Sequence, residues 1–538
     1  MIFGLTVLPL LVIAGVALVI ILAAQRSKKM LSAKGGDDDI LAFLMLALAM
    51  TVTGFALVEL ANTAFPGSRF LIRQTPNEMA FSVAEIVVAA PFVVYFWQRQ
   101  ANRRIIHPES AGWTLYLTVM ELILVIAFVV SAVSVIHRIV NGDGPTGWPA
   151  PLIFAAIVVF HEVAARNTPP RSDAAELPRV AGSAIGLVTA AIGLGGTLTA
   201  LFTLIFDLQE IQQFPWWLIA MLVVGAGIWV YRWFRQWDSE PALPRVAWTV
   251  LVSIASFAST VAATSAIAVL GLQYILGDTP APGQHFTPAP VMLGVLLTTL
   301  LVWLMHRRDL GVERTNRLRT YEYAVAAVGL VSAVANAVAL TVIAFGPTVL
   351  AGSDLNAVIG VTVGLVVGLV VWWRFSRRHE TGDPGEESVA WPRRMYNLGL
   401  GMVFGLVAGG ALITTLFVLI RRLLGDLGGP ALLTPLAILL YTAPTAWYLL
   451  ASYRRDQEEI ASEAVIAPLE VTIICSHPGM VATRFVPQAH LRVIHRGDGI
   501  GVIDDGMADD IVAAVDNQPS LIWVDEDGFR IAPKLVTS

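Results

Sequence analysis

Three carboxylates stand where a carboxylate is expensive. Glu59, Glu85 and Glu121 each interrupt an apolar run long enough to cross a bilayer, and an acid at mid-membrane costs roughly 2.5–3.5 kcal/mol on the insertion scale. Glu59 and Glu85 fall in the outer halves of two consecutive runs, so one helical hairpin can bring them together. Two carboxylates in one apolar site are not both charged cheaply, and such a pair shares a proton or holds a cation. The alternative is plainer: each acid hydrogen-bonds a neighbouring helix or reaches interfacial water. Later hairpins carry no equivalent acid at mid-span, which weighs against a site built by repetition. His161-Glu162, at the end of another run, has the composition of a proton relay, or of a pair resting at the headgroup level. Asn336 is suited to interhelical hydrogen bonding. Pro91 and Pro444 occupy similar places before Trp97 and Trp447 and are expected to kink their helices.

Near the C-terminus, Cys475 and His477 share a strand face at i, i+2, but no third orienting residue accompanies them. Gly497-Asp498-Gly499-Ile500-Gly501 lacks the spacing of a phosphate loop, and a turn between strands is the simpler reading. His477, His490 and His495 have no ordinary metal-ligand spacing. No catalytic, cofactor or metal site is expected.

The elements that must position these residues are membrane spans. Of 538 residues, 56% are hydrophobic and 14% charged, with a mean hydropathy of +0.70, far from the about 25% charged content of soluble domains. The net charge is −5, and residues 461–538, with 11 acidic and 5 basic side chains, hold −6 of it. Nothing in this balance calls for nucleic acid. The one cysteine leaves the fold to packing alone. Apolar runs lie at roughly 2–24, 40–64, 78–98, 112–137, 149–165, 181–206, 214–234, 246–276, 289–306, 321–350, 355–375, 395–422 and 430–453, which predicts about 13 spans. The first lacks a basic flank and a clear cleavage site before it meets Arg26, Lys28 and Lys29, so a retained helix is expected. With alternating loops, 25 basic residues fall on one side and 5 on the other. That asymmetry predicts an external N-terminus and a cytoplasmic C-terminal domain.

Val363 to Arg378 reads VGLVVGLVVWWRFSRR, an apolar run that ends in tryptophan and then arginine, as a span does at a cytoplasmic surface. The ending recurs at Tyr95-Phe96-Trp97-Gln98-Arg99, Tyr231-Arg232-Trp233-Phe234-Arg235, Trp303 to Arg308 and Trp447 to Arg455, with a weaker copy from Phe160 to Arg166. Between copies stand Leu177-Pro178-Arg179-Val180, Leu243-Pro244-Arg245-Val246 and Trp391-Pro392-Arg393-Arg394. Proline suits a first helical turn, where its missing N–H would be unpaired anyway. The expected architecture is an N-terminal helix and basic loop (1–39), six parallel helical hairpins (about 40–110, 111–177, 178–243, 244–318, 319–392 and 393–456) and a linker with a small α+β domain (457–538). In that domain strands are expected at Leu469–Cys475, Leu491–His495 and Ile500–Asp504, a helix at Ala508–Val515 and a hairpin over Leu521–Ile531. Glycine ladders at Gly360/Gly364/Gly368 and Gly401/Gly405/Gly409, with Gly182/Gly186, predict close helix contact.

A polar-aromatic start such as Arg319-Thr320-Tyr321-Glu322-Tyr323 or Arg394-Met395-Tyr396, followed by a long apolar helix, an outer turn and a return helix ending in tryptophan and basic residues, resembles the bacterial family called domain of unknown function 5671. The likeness runs over roughly residues 40–456, with His161 where the other hairpins offer an aromatic. The resemblance implies a multi-pass membrane protein and brings no activity or site.

Two function classes remain. One is a non-catalytic scaffold or sensor of the plasma membrane, embedded in the lipid bilayer and presenting its cytoplasmic domain to a protein partner. The other is a transporter or channel for an ion or small solute, with Glu59, Glu85 and Glu121 as its proton or cation site. Parallel hairpins, the lack of paired broken helices and the expected absence of buried lysine or arginine favour the first. A membrane-embedded enzyme is the weakest reading.

Overall fold

The computed structural model describes residues 36–64, 76–100, 111–145, 147–165, 176–207, 214–234, 243–277, 281–311, 315–346, 355–377, 390–424, 432–465, 469–476, 489–495, 503, 505–515, 520–525 and 528–533. The apolar run at 2–24, His477 and the glycine-rich stretch 497–501 lie outside the described residues.

Long helices follow one another along the chain: α1 (Gly36–Ala64), α2 (Pro76–Arg99), α3 (Ala111–Val140), α4 (Pro149–Ala165), α5 (Leu177–Ile205), α6 (Trp216–Phe234), α7 (Leu243–Leu276), α8 (Ala289–Asp309), α9 (Asn316–Phe345), α10 (Leu355–Ser376), α11 (Trp391–Leu423) and α12 (Leu433–Val465). Eleven of these are long and apolar enough to cross a membrane. The twelfth, α4, has 17 residues, or about 26 Å at 1.5 Å per residue, short of about 30 Å of hydrocarbon. The expected thirteen spans thus become eleven of full length and a shorter α4 among the described residues. Outward side chains carry the membrane signature. Leu406 and Ile413 on α11 are 76% and 71% exposed, a cost in water that lipid removes.

Consecutive helices pack as pairs, α1 on α2, α3 on α4, α5 on α6, α7 on α8 and α9 on α10. Two pairs cross through glycine. Gly186 of α5 faces the Gly225 carbonyl and the Trp229 amide of α6, while Gly329 of α9 meets the Gly368 carbonyl and the Trp372 amide of α10. Without a side chain at the crossing, two backbones approach closely. At the matching place in α7 and α8, Thr260 Oγ1 donates to Thr299 Oγ1 at 3.0 Å. All three contacts join residues 39 positions apart, with glycine or threonine at each.

The ladder at Gly360/Gly364/Gly368 resolves differently along its length. Gly368 packs on Ala333 and Gly364 on the Asn336 side chain, both of α9, whereas Gly360 has only Val269 nearby, at 3.9 Å from its built Cβ. Asn336 itself donates Nδ2 to Ser332 O at 2.8 Å within its own helix, so the amide is satisfied locally and only its bulk meets α10. The ladder on α11 is a correction. Gly401 packs on Leu449 and Leu450 of α12, but none of the described residues lies within 4 Å of a Cβ built on Gly405 or Gly409. The three glycines lie near one face of α11, and among the described residues α12 meets that face at Gly401 but not at Gly405 or Gly409.

Aromatic residues join four of the pairs to the helix that follows. Trp97 meets Trp113 edge-on, ring centres 6.2 Å apart; Trp303 Nε1 donates to Tyr321 Oη at 2.8 Å, and Trp372 Nε1 to Tyr396 Oη at 3.1 Å. Trp229, Trp233 and Trp248 share one buried cluster. The joint prolines Pro178, Pro244 and Pro392 are all buried in first turns. In α11 the turn after the joint widens into a π-helix over Tyr396–Leu400, a feature that periodicity could not reveal. Pro91 and Pro444 lie inside α2 and α12.

The chain divides into two compact units, the second comprising the C-terminal residues from Ala451. In that second unit, β1 (Leu469–Cys475), β2 (Ala489–His495), β3 (Ser520–Asp525) and β4 (Gly528–Pro533) form a sheet in the order β2-β1-β3-β4. β1 runs parallel to β2 and β3, and β4 antiparallel to β3. Of the expected strand at Ile500–Asp504, all but Ile503 lies outside the described residues. Helix α13 (Asp505–Ala514) places Ile511 on Val471, Ile473, Cys475, Ile522 and Val524, the strict alternation of β1 and β3 supplying that face. Cys475 is fully buried in this core, and burial pushes its thiol up from the ordinary cysteine range. A raised value means that the reactive thiolate appears only at higher pH than in a free cysteine. Maleimide labelling of the folded protein at neutral pH is therefore expected to be slow, and fast once denaturant is added. Rapid native labelling would show that this core opens.

Candidate functional site

Arg232 decides the site. It lies two residues before the end of α6, in an aromatic-basic ending that reads as a surface anchor, yet only 4% of its side chain is exposed. The expectation of no buried arginine is corrected here. At 3.6 residues per turn, α6 turns Tyr231 and Phe234 outward and Arg232 and Trp233 inward.

Its guanidinium is held by two helices. Nη2 lies 2.7 Å from Glu121 Oε1 and 2.9 Å from Oε2 on α3, and Nη1 pairs with Glu162 Oε2 on α4. The planar fork of arginine suits this double engagement, which a lysine point charge does not reproduce. A fourth helix makes the room. A Cβ on Gly182 of α5 would collide with the Glu121 carboxylate, so this glycine, half of the Gly182/Gly186 motif, admits a charged group where the sequence pattern suggested helix packing alone.

Beside the ion pairs, His161 Nδ1 donates to Ile157 O at 2.8 Å. With that proton placed, a neutral ring accepts at Nε2 from Tyr116 Oη, 2.7 Å away on α3. The pair is enclosed by its neighbouring helices: the histidine is 5% exposed, the Glu162 side chain 10%. These groups, with Thr114 and Arg179, line a cavity of about 30 Å³, room for a single water. The assembly is an electrostatic joint between the α3/α4 and α5/α6 pairs. Its chemistry is that of a closed network of two acids against Arg232, with Arg179 at the cavity wall.

The other acids lie elsewhere. Glu59 is exposed on α1 and lines a groove of about 570 Å³ with Phe55, Asn62, Ile126, Arg138 and Phe154, so a cation stands on the wall of the same groove. Glu85 is half-buried on α2 and does not line it. Among the described residues no cluster of three or more histidine, cysteine or acidic side chains could hold a metal.

Residues 39–161 and 319–449 match the family described as Domain of unknown function (DUF5671). The resemblance carried by the hairpin ends is shown over these two segments, which leave α5 to α8 between them. The two matches fall on α1 to α4 and on α9 to α12. Glu121 and His161 fall within the first match, whereas Arg232 comes from the intervening stretch. No curated protein and no solved structure matches the chain.

Proposed function

We propose that this chain is a non-catalytic scaffold or sensor of the plasma membrane, built from one N-terminal span and six parallel hairpins, which presents its C-terminal domain to a protein partner in the cytoplasm. The observation that carries it is the interior. Helices cross at glycine or threonine, the buried charges of α3, α4 and α6 are paired with one another, and the polar cavity beside them has room for about one water. A conduction route needs a polar path with loosely held charge; here the charges hold the helices together. The distribution of 25 basic residues against 5 supports the proposed orientation, and the joint prolines and the 39-residue crossings support the repeats.

Proton and sodium flux in proteoliposomes tests this against transport. Wild type and Glu85→Gln are expected to give equal flux at the level of empty vesicles. A flux that wild type shows and Glu59→Gln, Glu85→Gln or Glu121→Gln abolishes would replace the scaffold by a transporter. Reporter fusions after Arg104, Arg308 and Arg455 are expected to be cytoplasmic, and an external signal at any of them overturns the orientation.

A further inference from the structure

The sheet of the C-terminal unit has two faces of different character. On one, Val471, Ile473, Ile522 and Val524 pack against Ile511 of α13, with Phe529 and Ile531 beside them. Alternation along each strand sends the intervening residues to the other face, where the register sets them in rows. Ile474 lies between Ile494 of β2 and Trp523 of β3, and Trp523 is paired with Arg530 of β4. One row away, Arg492 stands beside Thr472.

Ile494 and Trp523 are each 42% exposed, and Ile474 between them is half-buried. With strands about 4.8 Å apart this apolar row is about 10 Å long. Arg530 continues it at one end, and Arg492 neighbours Ile494 on the same side of β2 at the other. Trp523 Nε1 donates to Asp525 Oδ1 at 2.7 Å, which fixes the indole while its ring stays accessible, so docking against it immobilises little that is free. Both arginines are exposed. The ion pairs among the described residues are those of Arg232, and Arg492 and Arg530 take part in none. Charge separates the two faces, since Asp509 and Asp510 are exposed on α13. Residues 461–538 carry a net −6, yet two of their five basic residues flank this one row. Tryptophan and arginine around an apolar centre are the composition of a binding interface.

We propose that this face binds an acidic amphipathic helix of a partner protein, its apolar stripe over Ile494, Ile474 and Trp523 and its carboxylates against Arg492 and Arg530. A helical turn of about 5.4 Å is close to the strand spacing, so apolar residues at i, i+4 and i+7 meet successive strands. The net charge of the unit opposes an anionic membrane surface, and like charges oppose a second copy of the same face. The proposal rests on the scaffold reading, which requires that this unit bind a protein but not through which face.

The test places a photoreactive phenylalanine analogue at Ile494 of the full chain in cells of its source, with Asp510 on α13 as the comparison position, and sequences the cross-linked segment by mass spectrometry. The Ile494 position is expected to capture a protein segment with apolar residues at helical spacing flanked by acids. Arg492→Glu and Arg530→Glu should each lower the yield roughly threefold or more, and Trp523→Ala roughly tenfold or more, while Cys475 stays slow toward maleimide, the sign that the sheet is folded. Capture of lipid, of a second copy or of a basic segment, or undiminished yield in both arginine variants, would each overturn the proposal. Capture from Asp510 alone sinks this face and spares the scaffold reading, whereas no protein captured from either position counts against both. If Trp523→Ala makes Cys475 reactive, the two arginine reversals decide.

Discussion

Arg232→Met is expected to lower stability by about 3–5 kcal/mol, the cost of leaving buried charge without its partner. Two carboxylates, Glu121 and Glu162, lose their shared cation at once, and Gly182 has already brought the backbone of α5 against one of them. Arg232→Lys should recover only part of the loss, because an ammonium cannot engage two carboxylates through a planar fork. Removing all three charges together, as Arg232→Met with Glu121→Gln and Glu162→Gln, should restore most of the stability, since buried ion clusters exchanged for uncharged groups of similar size are often neutral. Thermal melting in detergent, read by fluorescence from the tryptophans, measures all three. A single substitution that leaves melting unchanged would mean that the joint is open to water. Gly182→Ala provides an independent approach from α5: it should destabilise wild type, and the loss should shrink in a Glu121→Ala background, where the carboxylate that its Cβ would strike is gone.

Gly225→Leu and Gly368→Leu should each destabilise by about 1–3 kcal/mol or more, while Gly405→Leu should leave melting at the wild-type value. A Cβ on Gly368 would lie 2.7 Å from the Ala333 amide nitrogen and 2.9 Å from the Gly329 carbonyl, both backbone atoms that move only if a helix moves. Gly225 faces the backbone of Ala190 and Gly186 in the same way. At Gly405 the added side chain enters open space beside Leu406, which already faces outward. Melting curves in one detergent compare the three directly. Equal losses at Gly368 and Gly405 would show α11 to be packed against a further helix or a second copy.

Which residues could be read in advance follows from the range of the interaction involved. The spans were legible because some twenty apolar residues in a row need no partner to declare themselves. The aromatic ends were legible as anchors, and Trp303 and Trp372 do stand at helix ends, but their hydrogen bonds to Tyr321 and Tyr396 join residues of different pairs and leave no local mark. Arg232 was misread for the same reason. One sign was present: at Trp372-Trp373-Arg374 the arginine follows the aromatics, whereas in Tyr231-Arg232-Trp233-Phe234 it stands among them, inside the apolar segment. An acid at mid-span such as Glu121 also requires a cation somewhere, though not on which helix.

By itself the sequence determined that this is a membrane-type helical chain with a small C-terminal α+β unit, where its helices run, and which family its hairpin ends resemble. These properties rest on composition and on periodicities of two and 3.6, which the chain expresses residue by residue. The tertiary structure alone decided that Glu121, Glu162 and Arg232 form one site, and that Gly368 is a crossing point while Gly405 faces outward. Each depends on which helix lies beside which, and at what rotation. In a uniformly apolar helix that rotation is set by its neighbours, since lipid covers every apolar face equally well.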